Sequence, residues 1–388
     1  MNKETLAFRT KTEIREQNNG RAGDVWEIAL DIGYSGVKIF APNKIACFPA
    51  YARPIGNNFQ FAGKNPPQSI LYKNLDTGDM WVIGEVAQNL ITARDTSDSE
   101  SVLYGRDRYK SRMFKAIVSA GIGIGLLPNK TGAPIGEKIV IQTGLPERYM
   151  SDEADLKDVI AASKHFAIQI GSQPWQEFTV SIEENDIFVM SQPKGTLFSI
   201  CINKEGRFHQ DTQKYLTTSG LIFDPGFGTL DIFSINSGVV GNGETFANLG
   251  MKRVLQETAL AIKDVYGIEV PVPTMQKNLE TGTVIYVDKK KFISREYDFS
   301  ELLKTACEKV CNEAIDKMSE IFDLSTYNYL VVTGGTSEAW YPIIKERLKG
   351  LSTLDIILGN QNDSLPLIYS NVRGYFFYRY NKLWKHKQ

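Results

Sequence analysis

Apolar runs of strand type are followed by glycine-containing turns at two separated places in the chain. Ile28-Ala-Leu30 leads into Asp31-Ile-Gly-Tyr-Ser-Gly-Val-Lys38, and Gly220-Leu-Ile-Phe223 leads into Asp224-Pro-Gly-Phe-Gly-Thr-Leu-Asp231. Apolar residues resume after both turns, so each place predicts a strand, a tight turn and a second strand. A strand–turn–strand opening that recurs along the chain suggests a duplicated α/β architecture.

A third segment combines a strand with a glycine turn and a helix. The apolar residues at the start of Tyr329-Leu-Val-Val-Thr-Gly-Gly-Thr-Ser-Glu338 predict the strand, and Ala339 to Leu348 has helical character. Glycines at a strand-to-helix turn let a ligand approach the backbone closely. Further helical stretches are predicted at Tyr109 to Ala120, Leu249 to Tyr266, Phe299 to Phe322 and Asn371 to Lys385.

The length and the recurring pattern predict two domains. A chain of 388 residues is long enough for two hydrophobic cores. Residues 1–24 are polar and mixed in charge, and they are expected to form an extension that is either flexible or braces a neighbouring subunit. Residues 25–217 together with 368–388 are expected to form the first domain, and residues 218–367 the second.

The charge balance limits the classes of partner. The chain has 44 basic and 45 acidic residues, which gives a net charge of −1. No global field draws such a chain onto nucleic acid or an anionic membrane, so any DNA contact is expected to go through a partner. No apolar run reaches the roughly 18 residues of a membrane span, and the N-terminus lacks a signal-peptide core. A cytoplasmic location is therefore expected.

Two other sequence features have a structural and a functional interpretation. Cys307 and Cys311 lie four residues apart at helical spacing, which favours helix packing over a metal site, since no histidine is near them in sequence. Gly121-Ile-Gly-Ile-Gly125 follows a helical stretch. A dinucleotide-binding loop must instead follow a strand, so a helix end or turn is favoured there.

Both aspartate turns carry residues suited to a phosphate. Glycine allows positive φ and close backbone approach, so consecutive N–H groups can point at an anion. Small hydroxyl side chains can add further donors. The candidate glycines are Gly33, Gly36, Gly226 and Gly228, and the candidate hydroxyl residues are Ser35 and Thr229.

The two aspartates that begin the turns are candidates for holding a cation. A carboxylate next to a phosphate is repelled unless a cation lies between them. Mg²⁺ keeps most of its water and is usually bound by one or two carboxylates plus phosphates. We therefore expect Asp31 and Asp224 to hold Mg²⁺ through its water ligands, and Lys38 to place a positive charge on the same phosphates.

The three motifs, in this order, resemble the phosphate 1, phosphate 2 and adenosine motifs of the actin-like ATPase superfamily. Four further segments, in the same order, are similar to segments of the ParM group of plasmid-segregation actins. These segments are Trp81-Val-Ile-Gly-Glu-Val-Ala87, Val140-Ile-Gln-Thr-Gly-Leu-Pro146, Gln192-Pro-Lys-Gly-Thr196 and Ser370-Asn-Val-Arg-Gly374. The resemblance implies two RNase H-like domains with the nucleotide in the cleft between them. It also implies that the helix at Asn371 to Lys385 returns to the first domain.

The resemblance also implies roles for individual residues. Gln192 is the candidate that orients the attacking water, and together with Asp31 and Asp224 it makes up the expected catalytic set. A glutamine in this role is similar to that of actin, whereas several bacterial relatives use a glutamate. The implied nucleotide-binding residues also include Tyr34, Phe227, Asp231, Gly250, Lys252, Gly334, Gly335 and Thr336.

The function implied by the resemblance is that of a filament-forming ATPase or GTPase with Mg²⁺ that segregates plasmid DNA. Its expected partners are further copies of itself and an adaptor of ParR type bound to a centromere-like DNA site. A small-molecule, sugar-type kinase of the same fold is the alternative, although no specific sugar-binding signature is present. A DnaK-type chaperone would need a β-rich domain after the ATPase, and a membrane-tethered regulator would need an amphipathic helix.

The aromatic and basic residues of the last helix also allow two interpretations. Tyr375, Phe376 and Phe377, interleaved with cations such as Arg379, could stack on bases. A helix that packs one apolar face on the core explains the same pattern. The packed helix is the favoured interpretation.

Overall fold

The computed structural model describes residues 11–21, 23–90, 106–288, 290–363 and 365–385. Lys214–Gly359 forms one compact unit, which we call the second unit. The described residues from Lys11 to Gln213 and from Asn360 to Lys385 form the first unit. These limits lie near the domain limits at 217/218 and 367/368 that the sequence predicts. None of the helices in the described ranges is long and apolar enough to cross a membrane.

A mixed six-stranded sheet forms the centre of the first unit. Its strands are β1 (Glu13–Glu16), β2 (Val25–Ile32), β3 (Gly36–Ala41), β4 (Lys44–Pro49), β8 (Lys138–Leu145) and β11 (Ile187–Ser191). They lie in the order β1-β4-β3-β2-β8-β11. Strands β2, β3 and β4 form an antiparallel meander, and β8 and β11 continue the sheet parallel to β2.

A smaller sheet and five helices complete the described part of the first unit. The sheet has the order β10-β9-β6-β7-β5. Its strands are β5 (Ala52–Ile55), β6 (Ile70–Asn74), β7 (Met80–Ile83), β9 (His165–Ile170) and β10 (Gln176–Thr179). The helices are α1 (Glu85–Asn89), α2 (Arg112–Leu126), α3 (Glu153–Ala161), α4 (Gln192–Cys201) and α10 (Ser370–Lys385), while α5 (Thr212–Thr217) lies at the unit boundary.

Helices α2 and α10 cover the main sheet of the first unit on opposite faces. A Cβ atom at Gly125 would lie 2.7 Å from the Ile28 side chain, so α2 packs directly on β2 at this glycine. On the other face, the ring of Phe40 lies 5.0 Å from that of Phe376 on α10. A strand covered on both faces is mostly apolar, which explains the apolar run Ile28–Leu30 in the middle of β2.

The second unit repeats this plan. Its main sheet has the order β14-β13-β12-β17-β18. The elements are β12 (Ser219–Pro225), β13 (Thr229–Asn236), β14 (Val239–Ala247), β17 (Tyr329–Val332) and β18 (Asp355–Leu358), with helices α6 (Met251–Tyr266), α7 (Val272–Lys277), α8 (Ser300–Ile321) and α9 (Ser337–Leu348). A separate two-stranded sheet joins β15 (Thr283–Asp288) to β16 (Ile293–Asp298).

The two main sheets confirm the predicted duplication. In each, an antiparallel meander of three strands is continued by two parallel strands. The first aspartate turn joins β2 to β3, and the second joins β12 to β13. The two turns therefore occupy the same topological position, although their sequences share few residues.

The N-terminal region differs from the expected extension. Residues 1–10 of that region lie outside the described residues, but Glu13–Glu16 pairs antiparallel with β4 as strand β1. No strand is evident there from the hydrophobic pattern, because this short edge strand has only Ile14 as an apolar residue between charged ones. Its position is fixed by backbone pairing with β4, which such a pattern does not reveal.

The structure agrees with the structural interpretations of the remaining motifs. Cys307 and Cys311 are buried on α8, and burial raises the pKa of the Cys307 thiol to about 12. Gly121 to Gly125 lies in the last turns of α2. Tyr375, Phe376 and Phe377 are buried on α10, as a packed helix requires.

Candidate functional site

Asp31 is the centre of the first candidate cluster. It is buried, with 4% of its surface exposed, and it lies directly opposite Lys38 across the β2–β3 pair. The Lys38 Nζ is 3.4 Å from Asp31 Oδ2. This antiparallel register therefore brings together an anion and a cation seven positions apart in sequence, as the predicted turn requires.

Gln192 completes this cluster from a distant part of the chain. Its Nε2 donates a hydrogen bond of 3.2 Å to Asp31 Oδ1. Gln192 is the first residue of α4 and directly follows β11, and β2, β8 and β11 are parallel. The carboxyl ends of parallel strands meet at one sheet edge, where α/β proteins usually bind their ligands.

Backbone hydrogen bonds close the first turn, and the Lys38 side chain packs against it. Gly33 N–H donates to the Gly36 carbonyl at 3.1 Å, and Ala50 N–H donates to the Ser35 carbonyl at 3.1 Å. A Cβ atom at Gly33 would lie 3.2 Å from Lys38 Nζ. Glycine at this position therefore leaves room for the ammonium group beside the turn.

Tyr34 is held by an aromatic and cationic cluster of its own unit. The Arg108 guanidinium lies 5.0 Å from the centre of the Tyr34 ring and also lies over the rings of Tyr109 and Phe114. Burial raises the pKa of Tyr34 to about 12, and the Arg108 charge acts in the opposite direction. The phenol therefore stays protonated at neutral pH and can donate a hydrogen bond.

Helix α4, which carries Gln192, is fixed by α10. A Cβ atom at Gly374 would lie 1.7 Å from the Gly195 carbonyl oxygen, so the two helices cross with their backbones in contact. Thr196 Oγ1 donates to Asn371 Oδ1 across the same crossing. The segments Gln192–Thr196 and Ser370–Gly374, which the resemblance singled out separately, are therefore two sides of one helix contact.

Hydroxyl groups surround Asp231 in the second candidate cluster. Gly226 N–H donates to the Thr229 carbonyl at 2.8 Å and closes the turn. Thr229 Oγ1 donates to Asp231 Oδ2 at 3.0 Å, and Thr245 Oγ1 donates to Asp231 Oδ1 at 2.6 Å. These hydrogen bonds fix the side chains of Asp231 and Thr229. The contact of these two residues with a nucleotide stays a prediction.

The third sequence motif packs directly on the second turn. Gly334 has a φ of +86°, and a Cβ atom there would lie 2.1 Å from Asp224 Oδ1. Only glycine combines this backbone angle with space for the carboxylate. Thr336 Oγ1 donates to the Gly226 carbonyl at 2.8 Å, so this buried hydroxyl joins the two motifs.

The start of α6 is also built on the second turn. Lys252 N–H donates to the Phe227 carbonyl at 2.7 Å, and Met251 N–H donates to the Gly226 carbonyl at 3.1 Å. A Cβ atom at Gly250 would lie 2.6 Å from the Gly226 carbonyl oxygen. Gly250 is therefore required for this close approach, independently of the ligand contact that the resemblance implies for it and for Lys252.

The predicted residues thus form two clusters, one in each unit. Asp31, Lys38 and Gln192 are brought together in the first unit. Asp224, the second turn, Gly334 and Thr336 are brought together in the second. In the described residues no group of three or more His, Cys, Asp or Glu side chains could hold a metal. Mg²⁺ held through water by one or two carboxylates requires no such group.

One residue of the second cluster, Thr245, was not predicted from the sequence. Thr245 lies on β14 and hydrogen-bonds to Asp231 because the β13–β14 register places the two residues opposite each other. The sequence near Thr245 contains no pattern that indicates this contact.

Comparison with known proteins agrees with this architecture. Residues 29–195 match the family model of the N-terminal domain of actin-like proteins. A non-polymerisable quadruple mutant of pCBH ParM superimposes with a TM-score of 0.69 at 20% identity, over 92% of this chain and 99% of the other. The chain has the actin-like fold. The fold that the resemblance of the three sequence motifs implied is therefore confirmed.

Two further solved structures show the range of this likeness. A 15-stranded ParM filament from Clostridium botulinum matches this chain with a TM-score of 0.68 and 19% identity, over 92% of this chain and 99% of that one. An archaeal actin homologue solved in complex with ADP matches with a TM-score of 0.59 and 14% identity, over 92% of this chain and 99% of the homologue. No curated protein sequence matches the chain.

Proposed function

We propose that this actin-like chain hydrolyses ATP or GTP with Mg²⁺ and assembles into filaments that segregate plasmid DNA through an adaptor protein. The observation that carries the proposal is the repeated aspartate turn, which lies in the same position of two sheets of the same topology. Structures similar to this chain include ParM and a ParM filament, which supports self-association.

In the proposed reaction each residue has a physical task. Asp31 and Asp224 would each hold water ligands of Mg²⁺, whose charge would neutralise part of the charge on the phosphates. Backbone N–H groups of the two turns and Lys38 bind phosphate oxygens. Gln192 orients the attacking water, since phosphoryl transfer depends mainly on positioning and charge stabilisation.

The contact between Gln192 and Asp31 supports this assignment. A water ligand of Mg²⁺ at Asp31 and an attacking water at Gln192 would then lie within one hydrogen-bonded cluster, because the two side chains are 3.2 Å apart. Glutamine cannot act as a strong base, so its contribution is orientation of the water.

Assembly follows from a difference in affinity. A nucleotide that binds the assembly-competent conformation more tightly than the free one shifts the population towards assembly. Hydrolysis removes part of that difference and weakens the filament. The net charge of −1 gives no general attraction for DNA, which is why the proposal includes an adaptor.

Right-angle light scattering at micromolar protein, with phosphate release followed in parallel, tests the proposal. Addition of Mg²⁺ with ATP or GTP is expected to raise scattering, which then relaxes as phosphate appears. Omission of Mg²⁺ is the control and is expected to leave scattering flat. Flat scattering with slow hydrolysis in the presence of Mg²⁺ would contradict filament formation and favour the small-molecule kinase.

Replacement of Gln192 by alanine is expected to lower the turnover number more than the nucleotide affinity. Loss of water orientation should reduce phosphate release by about 10- to 100-fold, or ~1.4–2.8 kcal/mol of activation free energy. Steady-state phosphate release and nucleotide binding measured separately check this. Gln176→Ala, at an exposed glutamine in β10, is the matched control. Unchanged turnover in Gln192→Ala would remove Gln192 from the mechanism.

A further inference from the structure

The β15–β16 hairpin is an isolated two-stranded sheet in the second unit. We call β15, β16 and the turn residues 290–292 the arm. It belongs to the unit through its base, where Val284 is buried and the Tyr297 ring lies 4.8 Å from that of Tyr266. Two-stranded sheets are marginally stable by themselves, so an arm of this kind gains stability from whatever covers it.

The outer part of the arm exposes large apolar side chains. Ile285 is 71% exposed and Val287 is 50% exposed, and both lie on the same face of β15. Phe292, in the turn, is 89% exposed. Single exposed apolar residues are common, but a cluster of them on one projecting element is typical of an interaction site.

Phe292 also has an unusual backbone conformation. Its φ is +52°, a region that bulky residues rarely adopt. The preceding turn is fixed by Asp288, whose Oδ1 accepts from the N–H groups of Lys290 and Lys291 at 2.9 and 3.2 Å. The turn therefore holds an aromatic ring in solvent at a conformational cost.

The arm also carries three cations. Lys290 and Lys291 directly precede Phe292 in the turn, and Arg295, opposite Tyr286 on β16, lies on the other face of the hairpin from Ile285 and Val287. Within the described part of the chain, none of the three forms an ion pair. The arm thus presents an apolar surface with unpaired positive charge at its tip.

A surface of the first unit has the complementary charge. Helix α3 contacts the 3₁₀ turn Glu184–Asp186, and together with Glu183 they form what we call the acidic ridge. Asp155, Asp158 and Glu184 are exposed there. No ion pair involves these three side chains among the residues that the structure describes.

We propose that the arm docks on the acidic ridge of a second copy of this chain. The inference rests on the proposed filament function and names one of its contacts. Arm and ridge are different surfaces, so the contact is head-to-tail, and such contacts propagate into open assemblies unless the rotation closes a ring. Phe292 is the apolar anchor, and Lys290 and Lys291 set the orientation through Asp158 and Glu184.

The composition of the arm favours a copy of the chain over nucleic acid. Phosphate binding needs cations but no apolar cluster, whereas Ile285 and Val287 lie on the face that also carries Glu296. Apolar and aromatic residues with a charged rim are typical of protein interfaces. Because the chain has a net charge of only −1, two copies do not repel each other.

Replacement of Phe292 by glycine tests the anchor. Glycine adopts the positive φ without strain, so the turn is preserved while the ring is removed. The critical concentration for Mg²⁺-nucleotide-dependent sedimentation should rise by about tenfold or more. Phosphate release of the unassembled protein should not change. Ile135→Ser, at an 81% exposed apolar residue of the first unit, is the matched control and should assemble normally.

Charge exchange tests the identity of the docking surface. One variant carries Lys290→Glu with Lys291→Glu, and the other carries Asp158→Lys with Glu184→Lys. Each variant by itself should fail to sediment at the wild-type critical concentration. An equimolar mixture should sediment again, because each arm then meets a ridge of opposite charge.

The outcomes separate this inference from the proposed function. Failure of the wild-type chain to assemble with any nucleotide would overturn both. Assembly of Phe292→Gly at the wild-type critical concentration would overturn the arm contact alone. Failure of the mixed variants to co-assemble would overturn the ridge as docking surface. Loss of binding to duplex DNA in the arm variant, with assembly retained, would assign the arm to nucleic acid instead.

Discussion

Replacement of Asp224 by alanine should abolish nucleotide hydrolysis while leaving the fold intact. Under the proposed mechanism this carboxylate holds Mg²⁺ through water, and metal-bound charge stabilisation contributes several kcal/mol to phosphoryl transfer, so turnover should fall by about 100-fold or more. The side chain lies against Gly334 and is only partly buried, so its removal leaves no large cavity. Phosphate release at saturating Mg²⁺-nucleotide measures the effect.

Circular dichroism and thermal unfolding of the same variant test whether the fold is retained. Asp264→Ala, at an exposed aspartate on α6, is the control and should keep full turnover. If Asp224→Ala hydrolyses nucleotide at the wild-type rate, the second turn does not hold the metal. If the variant unfolds, Asp224→Asn keeps the volume of the side chain and repeats the test.

Replacement of Gly374 by alanine should destabilise the first unit strongly, although it adds only one methyl group. The new Cβ would lie 1.7 Å from the Gly195 carbonyl oxygen, and no rotamer change relieves a clash with backbone. Overpacking usually costs ~1–3 kcal/mol and occasionally more, against a gain of about 1 kcal/mol in helix propensity. Because this clash is with backbone, the cost is expected at or above the upper end of that range, which leaves a net loss of about 2 kcal/mol or more in urea-induced unfolding.

The same substitution should also lower hydrolysis, because α10 fixes the helix that carries Gln192. The expected pattern is reduced turnover with a smaller change in nucleotide affinity, measured below the unfolding transition. Gly56→Ala is a suitable control, since a Cβ atom there meets nothing within 4 Å. Wild-type stability of Gly374→Ala would show that the two helices can separate without cost.

The local motifs could be predicted because they depend on neighbouring residues. The strand–turn–strand units at Asp31 and Asp224 follow from apolar runs that end in glycine turns, and both are confirmed. The helical spacing around Cys307 and Cys311 predicted their burial on one helix. The resemblance of the three motifs, in their order, to those of the actin-like ATPase superfamily predicted the actin-like fold, which is confirmed.

The roles of several small residues could not be predicted in this way. Gly250 and Thr336 were predicted to contact a nucleotide, which stays a prediction; the structure adds that Gly250 allows α6 to approach the second turn and that Thr336 hydrogen-bonds to the Gly226 carbonyl. Edge strand β1 was missed because backbone pairing with β4 determines it. Each of these contacts joins residues far apart in sequence, for which a single sequence carries no signal.

The amino-acid order is thus enough to predict the main elements, their duplication and the residue types suited to a phosphate and a cation. Three contacts become visible only in the folded chain: Gln192 with Asp31, Gly334 with Asp224, and Gly374 with Gly195. The difference lies in the range of the interactions. Hydrophobic period and turn chemistry act over a few residues, whereas strand order and helix crossing bring together positions more than a hundred residues apart.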